Sequence, residues 1–533
     1  MFRRSTLMLI FCVHFFAQAS QPKLVIFISI DQMRADYFER FDTLFSGGLK
    51  KLYNQGIVYK EANLNYASSE TGPGHATLST GTYPHKSGIL ANDWIDPTTR
   101  KSVYCVSDEN AKSVEGEGGG FSAKNLAVTT IGDWLKKTSP NSKVVSISAK
   151  DRAAILMGGK NPDKVFWYQK KNGKMVTSNY YMQQLPEWAK KFNDEDWIEK
   201  NLPKQWEKSL PEKNYITIQP DEFFAETPWE GNTVFPHPFT EKKKTELILR
   251  SPYGDNLVLD FVKEAIIAEQ LGKRDVSDLL CISLSDCDYI GHNHGPNSHE
   301  MVDHLVHLDK ALGQFFDFVE KNIGKENFLV VLSADHAVFP LPEYLVQYTK
   351  ISDARRILYN EEFVPQVGKI NSALQKELNT QEVVLDEKGF LNYKIAKKMN
   401  VDSIQLEKEV YDGLLKIDCV AEVYFKRELA SSQPFQKLYM KQFRNSYYVE
   451  RGEDFQIRFK ENYLVTPYKT GASHGTVYKY DTHVPIIFWW NDVQPQIIAK
   501  EVHTVDIAPT LAKILNVRYP NNLDGVVLEE IKK

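Results

Sequence analysis

The stretch KLVIFISID, residues 23–31, is an almost unbroken apolar run that ends at an aspartate. A run of this length predicts a strand that is buried on both faces, as in a mostly parallel sheet. Residues 301–321 instead place apolar side chains on one stripe at helical spacing. Alternation of the two patterns predicts an α/β fold. Four further runs resemble the first: KVVSIS (143–148), LLCISLS (279–285), NFLVVLS (327–333) and VPIIFWW (484–490).

Polar side chains follow four of the five runs, at or just beyond the point where the predicted strand ends. In open α/β sheets, ligands bind beyond the carboxyl ends of the strands. We therefore expect these side chains to share one edge of the sheet. They are Asp31, Lys150, Asp288, Asp335 and His336.

The charge balance and the first residues limit the classes of function. The formal net charge of −4 is small for 533 residues, which argues against a nucleic-acid-binding face. The chain begins with MFRR, the apolar run LMLIFCVHFF and a small-residue AQA motif, a pattern that predicts a signal peptide over residues 1–19. The apolar run is shorter than the roughly 20 residues of a membrane span, so a single-span anchor is the less favoured alternative. We expect a periplasmic or secreted protein with no stable membrane span after cleavage.

Residues 20–533 predict one catalytic domain with two insertions, at about 160–250 and 345–465. The first insertion is rich in Lys, Trp, Tyr and Pro. The second is charged and irregular, with a possible hairpin or small α+β unit. We expect both to cover the sheet edge, and the alternative is surface elaboration alone.

Four cysteines follow the predicted signal peptide, at positions 105, 281, 287 and 419. Export permits disulfides, although a chain of this length does not need them. Pairing of Cys105 with Cys419 is left open. Because the sequence has no CxxC pair, we do not expect a cysteine-ligated metal site.

Carboxylates and imidazoles gather in three short motifs near the predicted strand ends. In DCDYIGHNHGP, Asp288 and His292 are four residues apart, close enough to reach one cation from a helix or a turn. His294 competes with His292 on spacing alone. The motifs SADH (333–336) and SHGT (473–476) add further groups of the same kind.

Each of these residues alone is more often a helix cap or a packed side chain, but together at strand ends they indicate a metal site. Mixed Asp and His ligands suit Zn²⁺ better than Ca²⁺ or Mg²⁺, which prefer oxygen. Five or six ligands are more than one zinc ion takes. Two zinc ions roughly 4 Å apart are therefore expected, and such pairs serve phosphoryl transfer.

The segment SSETGPGHATLSTG, residues 68–81, contains several hydroxyl groups. A threonine such as Thr71 is a poor nucleophile until a base or a metal ion removes its proton. Gly72 and Gly74 predict a sharp backbone turn with room for substrate beside that hydroxyl. The later hydroxyls are assigned to the following helix and its caps: Thr77, Ser79 and Thr80.

With these motifs in order, the chain resembles the alkaline phosphatase superfamily, specifically its PafA-type, phosphate-irrepressible branch with a threonine nucleophile. The resemblance implies a three-layer sandwich with a mostly parallel central sheet and inserted cap segments. It also implies a broad-specificity, zinc-dependent hydrolase of phosphate monoesters with a phosphothreonine intermediate. The motifs that carry it span nearly all of residues 20–533: ISIDQMRADY, TGPGHATLSTGTYPHKSGILANDW, SAKDRAA, DYIGHNHGP, SADH, SHGT and HTVDIAPTL.

The resemblance also assigns roles to individual residues. By that resemblance Thr71 is the nucleophile, and His75 is a supporting or packing residue. One zinc ion would be held by Asp288, His292 and His474. The second would be held by Asp31, Asp335 and His336, with the Thr71 oxygen as its remaining ligand.

The motif SAKDRAA sets Lys150 and Arg152 two residues apart, just after a predicted strand. Alone, this pair would be interpreted as surface charge. The resemblance instead assigns both to phosphoryl oxygens, with Asn92 of ANDW as a further donor. Two cations favour the dianion of a monoester, and a guanidinium binds two oxygens at once.

Other functions are weighed against this one. A phosphodiesterase, nucleotide pyrophosphatase or phosphonate hydrolase on the same scaffold is the main alternative, and an apolar pocket in place of the Lys-x-Arg pair would mark it. A sulfatase is disfavoured because no Cys/Ser-x-Pro-x-Arg motif is present. A metal- or phosphate-binding protein without activity is disfavoured because the nucleophile and the ligands are all present. We expect a monomer that acts on small-molecule phosphate monoesters and binds no nucleic acid.

Overall fold

The computed structural model describes residues 21–215, 219–434 and 436–531, so the predicted signal peptide, 1–19, lies outside the described residues. The strands within these ranges are β1 (Leu24–Ile30), β2 (Ile57–Asn63), β3 (Asp93–Ile95), β4 (Ser102–Tyr104), β5 (Ser107–Val114), β6 (Gly119–Phe121), β7 (Val144–Ser148), β8 (Lys164–Gln169), β9 (Lys174–Ser178), β10 (Gln205–Trp206), β11 (His237–Pro238), β12 (Asp278–Leu284), β13 (Phe328–Ser333), β14 (Arg355–Leu358), β15 (Val420–Phe425), β16 (Phe455–Phe459), β17 (Tyr463–Thr466), β18 (Ile486–Trp490) and β19 (Gln496–His503).

The α-helices alternate with these strands along the chain. They are α1 (Tyr37–Arg40), α2 (Gly48–Gln55), α3 (Thr71–Thr80), α4 (Pro84–Ser87), α5 (Ile131–Thr138), α6 (Asp151–Gly158), α7 (Glu187–Asp194), α8 (Trp197–Asn201), α9 (Lys244–Leu247), α10 (Tyr253–Ala268), α11 (Asp286–His294), α12 (His299–Ile323), α13 (Pro342–Tyr348), α14 (Val364–Glu377), α15 (Tyr393–Lys398), α16 (Ser403–Leu414), α17 (Lys426–Leu429), α18 (Met440–Ser446), α19 (Lys479–Thr482) and α20 (Ile507–Ile514).

One central sheet contains 11 strands, in the order β19-β2-β18-β13-β1-β12-β7-β8-β9-β5-β6. Its five middle strands, from β13 to β8, all run parallel. Strands β1, β12 and β13 are buried at every position, as expected for strands that are covered on both faces. The predicted α/β fold with a mostly parallel central sheet is confirmed.

The two edges of the sheet are mixed. Strand β18, which is the run VPIIFWW, lies antiparallel to both β13 and β2. On the other side, β9 is antiparallel to β8 and to β5. A connection as short as residues 170–173, between β8 and β9, joins only antiparallel neighbours. Strand β19, at the edge, is parallel to β2, but the longest run of parallel neighbours lies in the middle, where the predicted site residues follow the strand ends.

Helices cover the sheet in two layers. Helix α6 packs on β7 and β12 and contacts α3, which in turn contacts α5 and α20. Helix α10 packs on the same two strands and contacts α7, α11 and α12. The described helices α6 and α10 pack on the same two strands but have no substantial contact with each other, so they lie on opposite faces of the sheet. The long helix α12 buries the predicted apolar stripe toward this core, which gives the sandwich its third layer.

The two regions predicted as insertions are built differently. Residues 164–178, at the start of the first region, form β8 and β9 of the central sheet, so only the chain beyond them lies outside it. The second region has an apolar core of its own, in which α14 and α16 pack with the β15–β16 pair. That region is a small α+β unit, which we call the α14–α16 unit. The division into one catalytic domain with two insertions stays a prediction.

The four cysteines in the described ranges are all buried free thiols. Cys105 and Cys419 belong to different apolar cores, so the pairing that the sequence left open does not form. Among the described helices, none combines the length and the apolar character that a bilayer crossing requires.

Candidate active site and metal clusters

Three neighbouring parallel strands deliver predicted ligands to one edge of the sheet. Asp335 follows β13, Asp31 follows β1, and Asp288 lies in the first turn of α11 after β12. Since these strands are in register and end at the same level, their carboxylates meet. His474 reaches the same edge from the loop between β17 and α19.

Asp288, His292 and His474 form one compact group. Asp288 and His292 are one turn apart in α11, so both face the same side of the helix. The Nε2 atom of His292 lies 3.2 Å from Asp288 Oδ1. His474 Nε2 lies 3.7 Å from the same oxygen and 3.2 Å from His292 Nε2. A carboxylate oxygen and two ring nitrogens therefore surround a common point.

Asp31, Asp335 and His336 form a second group, which is completely buried. His336 Nε2 lies 3.3 Å from Asp335 Oδ2 and 3.6 Å from Asp31 Oδ1. The imidazole of His336 stacks on that of His474, with the ring centroids 3.7 Å apart. The two groups therefore adjoin and make one site.

The hydrogen bonds of these residues suit metal ligands. Among the described residues, Asp335 Oδ2 and His336 Nε2 are buried without a hydrogen-bond partner, which is costly unless a cation lies beside them. In each histidine of the two groups, Nδ1 donates to a backbone carbonyl, which leaves Nε2 facing the cluster. The acceptors are Ala472 for His292, Ser69 for His474 and Ala337 for His336.

The three carboxylates lie in a buried site and repel one another, and the site shifts the pKa of each. Burial, together with the charge of Asp335, raises the pKa of Asp31 to about 6. Burial also raises the pKa of Asp335 to about 7. Burial acts in the same direction on Asp288, but Lys150 and His292 outweigh it and hold the pKa of Asp288 well below its usual range. Cations bound among these groups would relieve the repulsion.

Lys150 joins the two groups. Its Nζ lies 2.8 Å from Asp31 Oδ2 and 2.5 Å from Asp288 Oδ2. The residue precedes α6 directly, and its side chain is buried. The predicted Lys-x-Arg pair is therefore divided in the structure, because Lys150 faces the carboxylates whereas Arg152 faces a hydroxyl.

That hydroxyl belongs to Thr71, the first residue of α3. Arg152 Nη2 donates to Thr71 Oγ1 at 3.2 Å. Asn92 lies against the same helix end, where its Oδ1 accepts the backbone N–H of Gly72 at 2.7 Å. The Asn92 backbone N–H donates in turn to Glu70 Oε2 at 2.7 Å. The structure thus brings the predicted nucleophile and two predicted substrate-binding residues together.

The prediction that Gly72 and Gly74 form a sharp turn is wrong. Both lie inside α3, and neither has a positive φ. A Cβ atom on Gly74 would lie only 2.4 Å from the carbonyl oxygen of Asp335. The glycine therefore lets the helix approach a predicted metal ligand closely. The later hydroxyls lie in the same helix, as predicted: Thr77, Ser79 and Thr80.

Two residues that touch the site were not among the predictions. Gln32 donates its Nε2–H to Asp288 Oδ1 at 2.7 Å and its backbone N–H to Asp335 Oδ1 at 3.1 Å. Its position next to Asp31 was the signal that could have found it. Glu70 gives no such signal, because its contact with Asn92 depends on where α3 begins.

The other two histidines of the motifs lie outside both groups. His75 Nδ1 donates to the Thr71 carbonyl at 2.9 Å, and His75 Nε2 lies 3.0 Å from Ser283 Oγ. Because His75 Nδ1 also lies 3.3 Å from Asp335 Oδ2, His75 packs α3 onto the sheet beside a predicted metal ligand. His294 is two residues beyond His292 in α11, and residues at that spacing face different sides of a helix. His294 therefore does not compete with His292.

Residues 25–484 match the family described as type I phosphodiesterase / nucleotide pyrophosphatase. A Myroides odoratus protein named calcium-transporting ATPase is 34% identical over 96% of this chain and 94% of its own length. Alkaline phosphatase PafA of Elizabethkingia meningoseptica is 33% identical over 96% of this chain and 94% of its own length. The crystal structure of PafA matches with a TM-score of 0.89 and 31% identity, over 96% of this chain and 99% of that one.

A second PafA crystal structure, with the same TM-score and coverage and 30% identity, carries substitutions of a threonine, an asparagine, a lysine and an arginine. These are the residue types of Thr71, Asn92, Lys150 and Arg152. The family match spans most of the chain, and the agreement with PafA extends from the order of the motifs to the whole fold. The chain therefore belongs to the type I phosphodiesterase / nucleotide pyrophosphatase family, on the PafA-type branch of the alkaline phosphatase superfamily.

Proposed function

We propose that this protein is a zinc-dependent alkaline phosphatase that hydrolyses small-molecule phosphate monoesters through a phosphothreonine intermediate on Thr71. One observation carries the proposal. The Thr71 hydroxyl meets the Arg152 guanidinium at the start of α3, at the sheet edge where two groups of metal-ligand type adjoin. The name of the relative PafA, an alkaline phosphatase, supports the same function.

Two zinc ions fit the two groups of ligands. Asp288, His292 and His474 would hold one ion, and Asp31, Asp335 and His336 the other. Mixed imidazole and carboxylate ligation is typical of zinc. When bound, such ions stabilise negative charge on oxygen and lower the pKa of a hydroxyl or of water.

In the proposed reaction, Thr71 Oγ1 forms a bond to phosphorus while the bond from phosphorus to the ester oxygen breaks and the alcohol leaves. Water then cleaves the phosphothreonine and releases phosphate. The transition state of such transfers is loose, with charge spread over the phosphoryl oxygens. The Arg152 guanidinium, already beside the attacking oxygen, binds those oxygens.

Three further features around the start of α3 favour an anion at this position. The helix N-terminus carries partial positive charge. Because Asn92 Oδ1 is occupied by the Gly72 N–H, the Asn92 amide NH₂ remains to donate to a phosphoryl oxygen. Lys150 adds a second cation within the site. Two cations suit the dianion of a monoester better than the single charge of a diester.

The proposal is tested by Thr71→Ala, with Thr77→Ala in the same helix as the control. Thr77 lies six residues further along α3 and belongs to neither ligand group, so its loss should leave hydrolysis of p-nitrophenyl phosphate almost unchanged. Thr71→Ala should lower kcat by about 10⁴-fold or more, because the covalent step is lost. Phosphate transfer to the wild-type protein, detected by mass spectrometry, should map to Thr71. Full activity of Thr71→Ala would exclude the mechanism.

The substrate class is tested by comparing p-nitrophenyl phosphate, its bis ester and ATP, which is included because one relative is named an ATPase. We expect the highest kcat/KM for the monoester. A preference for the bis ester would favour the phosphodiesterase alternative. Export to the periplasm or medium, supported by the pattern of residues 1–19, is tested by fractionating expressing cells, and the expected monomer by light scattering.

A further inference from the structure

A third group of ligand-type side chains lies outside the site described above. Glu226, His294 and Glu300 each offer an atom within 4.8 Å of the others. All three side chains are buried at about 0–1% exposure. Glu226 comes from the loop before β11, His294 from the end of α11 and Glu300 from the start of α12. The group therefore joins three segments of the chain.

One oxygen of each glutamate contacts a residue outside the group, and the other oxygen faces His294. Gln219 Nε2 donates to Glu226 Oε1 and, at 3.0 Å, to the His294 carbonyl. His237 Nε2 lies 2.8 Å from Glu300 Oε1. The remaining oxygens converge on one ring nitrogen, because His294 Nδ1 lies 3.0 Å from Glu226 Oε2 and 3.8 Å from Glu300 Oε2.

The group is not paired with a permanent positive charge. Within the described ranges, neither glutamate forms an ion pair with a lysine or an arginine. In the part of the chain that the structure describes, Glu300 Oε2 is buried without a hydrogen-bond partner, although it faces His294. Burial and the nearby Glu300 hold the pKa of Glu226 well above its usual range. Two buried carboxylates in contact with one imidazole are costly unless protons or a cation neutralise them.

We propose that Glu226, His294 and Glu300 bind a third divalent transition-metal ion, of which zinc is the expected species. Two carboxylate oxygens and one imidazole form a donor set used by zinc, and calcium or magnesium would favour oxygen donors alone. Gln219 and His237 orient the two carboxylates, as outer residues of metal sites commonly do. Three protein ligands leave one position of a tetrahedral site for water.

The third site would be structural. It ties the loop that carries Glu226 to the adjoining ends of α11 and α12, and α11 carries His292 on another side. The backbone supports this connection, because the Thr227 N–H donates to the Asn293 carbonyl at 2.7 Å. The inference does not depend on the reaction proposed for Thr71. An enzyme with metal only at the two catalytic groups would contradict the third site and leave the proposed function intact.

The first test uses the unmodified protein, purified in the presence of zinc and without chelator. Anomalous diffraction measured on both sides of the zinc absorption edge should show a peak between Glu226, His294 and Glu300, besides those at the catalytic groups. Catalytic peaks without a third one would overturn the proposal and indicate that protons neutralise the two glutamates.

The second test counts metal in variants after gel filtration. Glu226→Gln should lower the bound zinc by about one ion per chain, since a neutral amide is a weaker ligand. Glu407→Gln is the matched control, because Glu407 is also buried but pairs with Arg427 in the α14–α16 unit. It should leave the metal content unchanged. Equal metal content in Glu226→Gln and wild type would contradict the third site, and if Glu226→Gln does not fold, the diffraction experiment still decides.

Discussion

The buried environment of Asp335 opposes its ionisation in the protein without bound metal. Burial raises the pKa of Asp335 to about 7, and burial with the charge of Asp335 raises the pKa of Asp31 to about 6. At pH 6 both groups carry protons in part, whereas at pH 8 both are almost fully ionised. Cation binding requires the ionised form, so it must displace protons at pH 6 but few at pH 8.

We therefore predict that zinc binds the chelator-treated protein more tightly at pH 8 than at pH 6. Binding at pH 6 should also release about one more proton per chain than at pH 8. Calorimetric titrations in two buffers of different ionisation enthalpy measure the release at each pH. The same release at both pH values would show that these carboxylates do not bind the cation.

A second prediction concerns Lys150 and Arg152 and the preference for monoesters. The double change Lys150→Ala with Arg152→Ala removes both cations from the site. It should lower kcat/KM for p-nitrophenyl phosphate by about 10²–10⁴-fold, and that for the bis ester by less than about tenfold, because the diester lacks the second charge. Equal losses for both esters would show that the pair does not select the monoester.

Single variants distinguish the roles of Lys150 and Arg152. Arg152→Ala removes the contact with Thr71 Oγ1 and should leave the zinc content unchanged. Lys150→Ala removes a cation that pairs with Asp31 and Asp288, so it should also change how tightly zinc is bound. Metal analysis of both variants, beside their kinetics, measures the difference.

Predictability from the sequence depended on where each residue lies relative to a strand end. Asp31, Asp288 and Asp335 could be placed together because parallel strands end at one edge. Glu70 could not, since its contact with Asn92 depends on the local path of the backbone, and Gln32 was indicated only by its position next to Asp31. Separating His294 from His292 required knowing that this segment is helical. Two residues two positions apart face different sides of a helix, whereas they share one face of an extended segment.

Helix α3 is the element that brings the nucleophile to the metal ligands. Its close approach depends on Gly74, where a Cβ atom would meet the Asp335 backbone at 2.4 Å. Gly74→Ala should destabilise the protein by about 1–3 kcal/mol, as overpacking does, and should lower zinc affinity by shifting Asp335. Urea unfolding and zinc titration measure the two effects.

Gly368→Ala is the matched control for that change. Gly368 also lies inside a helix, α14, and an added Cβ would meet nothing within 4 Å. Alanine there should be neutral or stabilise by up to about 1 kcal/mol, because glycine is the poorer helix former. If both variants behave alike, the close approach of α3 is not what requires Gly74.

The elements themselves were partly predictable. The apolar runs identified β1, β7, β12, β13 and β18, because a strand that is covered on both faces needs apolar side chains throughout. The direction of a strand is not contained in such a run, so nothing distinguished antiparallel β18 from its parallel neighbours. Strands β8 and β9 were missed because they lie in a segment rich in lysine and aromatic residues.

At the scale of the whole molecule, the site is assembled from residues far apart in the chain. His474 Nδ1 donates to the carbonyl of Ser69, 405 residues earlier, and Lys150 joins the ends of β1 and β12 through their carboxylates. The site therefore forms only when these distant segments have folded together. The α14–α16 unit, with its separate core, supplies none of the predicted metal ligands.

This division predicts two levels of stability. Strands β1, β12 and β13 are completely buried in the large core, whereas β15 and β16 keep several half-exposed residues beside a much smaller one. Regions with fewer buried contacts open at lower free energy. In native-state hydrogen exchange, peptides from 420–425 should exchange at least about tenfold faster than peptides from 279–284. Zinc should slow exchange of the 279–284 peptides more than that of the 420–425 peptides, because β12 leads into a ligand-bearing helix.

Exchange of both sets of peptides at the same rate would mean that residues 345–465 unfold with the central sheet and form no separate insertion.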